Sequence, residues 1–109
     1  MASATACGSA PYGITECTQV IGQGLQITSI GGQVKNATST VIKVEVYFSG
    51  PNGHITNTGF FNVNPGGVTA WQTWHNPNPT AQMKAGNYCT EAISPQGLIY
   101  SEYCVAVHA

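Results

Sequence analysis

The stretch Thr40-Val-Ile-Lys-Val-Glu-Val-Tyr-Phe-Ser49 decides the fold class. Ile42, Val44, Val46 and Phe48 fall on one side of an extended chain, and Val41, Lys43, Glu45 and Tyr47 on the other. A period of two belongs to a strand, whose alternate side chains point to opposite faces. The β-branched residues Val41, Ile42, Val44 and Val46 disfavour a helix. Gly50-Pro51-Asn52-Gly53 then ends the run with turn chemistry. The first set is therefore expected in a core and the second near solvent.

Working outward, the chain reads as strands broken by Gly, Pro and Asn. Upstream candidates are 18–22 and 25–30, the latter interrupted by Gly31-Gly32 and continued over 33–36 beyond a bulge. Downstream candidates are 54–57, 60–63, 68–74 after the Asn64-Pro65-Gly66-Gly67 turn, and a last hairpin of 87–93 with 98–108. The longest loop, 75–86, holds Pro77 and Pro79. About seven short strands with turns every 8–12 residues read as an all-β antiparallel β-sandwich of the immunoglobulin-like or fibronectin-like kind. Residues 1–17 read as an Ala/Ser/Gly-rich arm tethered by a disulfide, and 18–109 as one domain.

Four Cys in 109 residues suit a disulfide framework, for which three connectivities exist. The local clusters favour Cys7–Cys17 and Cys89–Cys104, each closed over turn residues. That pairing argues for a secreted, extracellular protein. Ala2-Ser3-Ala4 has the small-x-small form of a signal cleavage site, with Met1 an initiator ahead of it, and equally suits an unstructured terminus. Asn36-Ala37-Thr38 is a lone N-glycosylation sequon.

Charge is scarce. The seven charged side chains are Lys35, Lys43, Lys84, Glu16, Glu45, Glu91 and Glu102, 6% of the chain. Three Lys and no Arg cannot displace many counterions from a phosphate backbone, so nucleic acid is excluded as a partner. An anionic membrane surface is disfavoured for the same reason. No apolar run is long enough for a spanning helix. Edge strands are usually guarded by Lys, and here they have almost none. Either the disulfide-tethered arm covers the edges, or an open edge is expected to pair with a protein partner by strand addition.

Catalytic sets are missing. Asp is absent, and no nucleophile-elbow motif or phosphate cradle occurs. His54, His75 and His108 lie apart at turns or ends, so no metal and no cofactor is expected. Glu91 and Glu102 can face each other across the last hairpin, the minimal pair of a glycosidase, although polarity at the surface explains the four Glu better. The expectation is a non-enzymatic protein. The candidate binding surface is Trp71, Trp74, His75, Asn76 and Asn78, with Tyr47 on a second sticky face. Trp71 and Trp74 are three apart and face opposite sides, one inward and one outward. An exposed Trp among amides is how a carbohydrate-binding module holds a sugar, and also how a protein interface builds an anchor. A third option is a hydrolase inhibitor that inserts the 75–86 loop, pre-ordered by its prolines.

Met83-Lys-Ala-Gly-Asn-Tyr88-Cys89 resembles the tyrosine corner of immunoglobulin-like and fibronectin-type sandwiches, with Tyr88 at the matching position. The resemblance implies that the Tyr88 hydroxyl bonds back to the corner backbone. Cys89 follows Tyr88 by one residue where antibody domains have two, which favours a Cys89–Cys104 link within the last hairpin over a bridge between sheets.

Over about residues 7–109 the pattern is similar to small, secreted, two-disulfide β-sandwich proteins of filamentous actinobacteria. The stretches Cys17-Thr-Gln-Val-Ile-Gly-Gln-Gly-Leu25, Gly50–Gly53, Ala85–Cys89 and Cys104-Val-Ala-Val-His108 carry that likeness. Some similar proteins are adaptor subunits of umbrella-shaped antibacterial toxin particles. The likeness implies an adaptor that joins other proteins and assigns no site residues.

Overall fold

A computed structural model describes residues 3–109, so Met1 and the first residue of the Ala2-Ser3-Ala4 motif lie outside the described residues. Nine strands and no helix occur among the described residues: β1 (Ala4–Cys7), β2 (Ile14–Gln23), β3 (Gln26–Asn36), β4 (Ile42–Gly50), β5 (Gly53–Asn57), β6 (Phe61–Val63), β7 (Gln72–His75), β8 (Gly86–Ile93) and β9 (Ile99–Val107). One sheet has the order β1-β2-β3-β7, the other β5-β4-β8-β9 with β6 also beside β4. Every ladder is antiparallel. The architecture is the expected antiparallel sandwich, with nine strands in place of about seven.

The core follows the alternation. Ile14, Val20, Ile27, Ile30 and Val34 from one sheet meet Val44, Val46, Phe48, Tyr88, Ala92, Val105 and Val107 from the other, all buried. Both disulfides form, Cys7–Cys17 and Cys89–Cys104. Each joins directly opposed residues of neighbouring strands. The Tyr88 hydroxyl donates to the Lys84 carbonyl at 2.7 Å, and its ring lies against Gly50, where a side chain has no room.

Four sequence-based expectations change. The proposed boundary after residue 17 falls inside β2, and residues 4–7 form β1, so the N-terminal segment is part of the first sheet and not an appended arm. Pairing with β2 supplies its backbone partners, which composition alone does not reveal. Gly31-Gly32 does not interrupt β3. The irregularity lies at Ile21/Gly22 instead, and the two glycines admit close neighbours. A Cβ on Gly32 would lie 2.6 Å from Val46 Cγ1 and 2.7 Å from Glu16 Oε1. The 68–74 strand shrinks to β7, because Val68 makes only an isolated bridge to Lys35. Finally, Glu16 is no surface residue: it is fully buried between the sheets.

Candidate functional site

In a sandwich with so little charge, long edge strands have no Lys to guard them. The free side of β3 is covered by β7 and by the turn before it, where Asn36 N–H donates to the Gly67 carbonyl and Thr69 N–H to the Val34 carbonyl. The free side of β4 is covered by β6, by Thr58, whose N–H donates to the Val46 carbonyl, and by β5. β9 is different. It spans nine residues and pairs only with β8, and no strand among the described residues pairs with its other side.

The register says which backbone groups that edge presents. Cys89 and Cys104 have their Cα atoms 4.0 Å apart. That is the narrow type of antiparallel pair, whose N–H and C=O groups point away from each other. Glu102, Cys104 and Ala106 therefore turn their amide groups to the open side. The upstream part is capped. Gly8 sits against the Glu102 carbonyl with no space for a side chain, and Ser101 Oγ donates to the Ser9 carbonyl at 2.8 Å. The groups of Cys104 and Ala106 remain open. β9 contains neither Lys nor Pro.

An apolar patch flanks the head of this strand. Tyr12, Leu98 and Ile99 are exposed, and Tyr12 meets Tyr100 edge-to-face at 6.1 Å between ring centroids. The sequence reading missed this patch. The signal available was Leu98-Ile99 directly after the Ser94-Pro95-Gln96-Gly97 turn, but Tyr12 joins it only through the fold.

The nominated residues do not share one surface. Trp74 packs against the core. Trp71 lies on the outer face of the first sheet, 3.1 Å from where a Gly31 Cβ would stand and next to Gln19. The register puts Thr73 and His75 on that same outer face, opposite Gly31 and Ser29. Asn76 is committed to the fold: its side-chain amide donates to the Ile27 carbonyl at 2.7 Å, and its oxygen accepts the Asn78 N–H at 3.0 Å. The 75–86 loop is also fastened by Met83 N–H to Leu25 O and by Gln26 Nε2 to Thr80 O.

Tyr47 lies on the outer face of the second sheet, its ring 4.4 Å from that of His54. His54 Nε2 contacts Asn57 Oδ1 at 3.1 Å, and Asn57 Nδ2 donates to Glu45. Asn36 of the sequon is buried, with both amide hydrogens donated to the Thr40 and Val63 carbonyls.

Glu91 and Glu102 are register partners on the outer face of the last hairpin, as its reading expects. Partial burial, with a hydrogen bond and repulsion from Glu102, pushes the Glu91 carboxyl up to about 7. Glu102 also lies beside Cys89 and Cys104, but those sulfurs are bonded to each other and cannot serve as thiolate ligands. The depression between the 50–55 turn, Met83 and Tyr88 holds about 120 Å³. A drug-sized ligand needs roughly 300–1,000 Å³.

No protein-family model matches the chain, and no curated protein is significantly similar to it.

Proposed function

We propose that this is a secreted, non-enzymatic binding module that acts through protein–protein contact, as an adaptor subunit of an extracellular assembly or toxin particle. The observation that carries the reading is the open edge of β9, with the outward amide groups of Cys104 and Ala106 beside the Tyr12, Leu98 and Ile99 patch. A partner strand would gain main-chain hydrogen bonds there and place apolar side chains on the patch. The two disulfides support an oxidising extracellular setting. The resemblance to small actinobacterial sandwiches supports the adaptor role.

The test is capture of partners from the producing organism's culture fluid by the wild type and by Ala106→Pro. That change removes an outward N–H and leaves the β8 pairing intact. Losing one or two interfacial hydrogen bonds weakens binding about tenfold. Recovery of the wild type as a solitary monomer at every concentration argues against the reading, as does equal capture by the variant.

A second reading is a carbohydrate-binding module using Trp71. Its support is the half-exposed indole on an uncharged strip with Gln19, Thr73 and His75. Indole fluorescence of the wild type and of Trp71→Ala across a glycan panel separates the two. A response that vanishes in Trp71→Ala selects the sugar, and silence removes it.

A further inference from the structure

The interior of the sandwich holds a chain of three short hydrogen bonds with a deficit of protons. Glu16 Oε1 lies 2.6 Å from Thr90 Oγ1, Thr90 Oγ1 lies 2.6 Å from Thr18 Oγ1, and Thr18 Oγ1 lies 2.7 Å from the Tyr103 carbonyl oxygen. The Glu16, Thr18 and Thr90 side chains are fully buried. A carbonyl only accepts, so the Thr18 hydroxyl hydrogen goes to Tyr103. The Thr18–Thr90 link then takes the Thr90 hydrogen, because each hydroxyl has one to give. Nothing remains for the third link unless Glu16 supplies it.

We infer that Glu16 is held as the neutral acid, that it is the first donor of a one-way chain Glu16→Thr90→Thr18→Tyr103 tying β2 to β8 and β9, and that loss of its proton is the event coupled to release of β9.

The surroundings agree. The other carboxyl oxygen, Oε2, is buried without a hydrogen-bond partner, a costly position for a charged carboxylate. The groups facing Glu16 are Gly32 from β3, Val46 from β4, Thr90 from β8 and Ser101 from β9. The titratable side chains facing inward nearby are Tyr88 on β8 and Tyr103 on β9, and the three Lys are all exposed, so none pairs with the carboxyl. Ser101 adds a parallel tie: it accepts the Glu16 N–H at 3.0 Å and donates to the Ser9 carbonyl. Desolvation by burial lifts the Glu16 carboxyl to about 8.

The experiment uses Glu91→Gln as the reference protein, which removes the other raised carboxyl. Carbon-13 NMR of the assigned Glu16 Cδ should show a neutral acid at pH 6. Amide exchange of Tyr103 and Val105 should lose protection about tenfold per pH unit between about 4.5 and 8 and level off above that, since the opened state binds one proton fewer. The double variant with Glu16→Gln keeps an N–H donor toward Thr90, and its protection should be flat with pH. A carboxylate shift for Glu16 at pH 6 overturns the inference, as does flat protection in the reference protein or an unchanged slope in the double variant. If the double variant does not fold, the chemical shift and slope of the reference protein decide by themselves.

Discussion

Gly31 and Gly32 are neighbours in β3 that serve opposite faces. Gly32 faces the core, where an added methyl group meets Val46, Glu16 and Thr90 together. Gly32→Ala is expected to cost about 1–3 kcal/mol from overpacking, read as a lower urea midpoint. Gly31→Ala is tight only against the edge of the Trp71 ring, at 3.1 Å, with Gln19 at ordinary contact distance, so it should alter the fluorescence more than the stability. Asn36→Ala strands the buried Val63 carbonyl, while the Thr40 carbonyl keeps the Thr38 hydroxyl, a loss of roughly 1–3 kcal/mol in the same assay. Ile42, Val44, Val46 and Phe48 were legible in the sequence because a two-residue period is a local signal. Glu16 was not. Its partners Thr90 and Ser101 stand 74 and 85 residues away, and nothing near Glu16 in the chain announces them.

Strands bounded by strong turns were legible for the same reason. β4, β5 and the β8–β9 hairpin fall within a residue or two of their expected limits. β1 and β7 were not, because short strands owe their existence to the neighbour that fills their ladder. The candidate site shared that fate: the last hairpin could be read, but its open side follows from strand order, which no local pattern encodes. Each disulfide staples one hairpin. Replacing Cys89 and Cys104 by Ala opens a loop of separation 15. The expected cost is about 3 kcal/mol, measured by thermal or denaturant unfolding. Replacing Cys7 and Cys17 costs slightly less, and it should also loosen Gly8 and Ser9 from β9. That second variant is expected to bind a strand-donating partner more readily, since it lengthens the open edge.

The molecule as a whole should favour acid. Glu16 and Glu91 both have folded-state values raised above 4.5, to about 8 and about 7. A raised value means that the folded state holds its proton more tightly than the unfolded chain. The resulting stability is complete below about pH 4.5, falls as pH rises above that, and is gone by about pH 7 for Glu91 and about pH 8 for Glu16. For Glu16 the loss is of order a few kcal/mol across that interval, since a tenfold difference in proton affinity corresponds to about 1.4 kcal/mol. Urea midpoints should therefore fall from pH 4.5 to 8. In Glu16→Gln the fall should shrink to the smaller contribution of Glu91. Most small domains lose stability in acid, where paired carboxylates must be protonated. This one has too few charges to follow them.

Neither disulfide crosses between the sheets. Cys7–Cys17 lies within the first and Cys89–Cys104 within the second. The halves of the sandwich are thus joined covalently only by the polypeptide that runs between them. A pull on the two ends of the chain would grip β1 in one sheet and β9 in the other, and would load the Ser9, Glu16 and Ser101 contacts first. The stapled segments could not lengthen, so all slack would come from the stretch between Cys17 and Cys89. Such a domain yields mechanically by parting its layers, while the hairpins at both ends keep their shape.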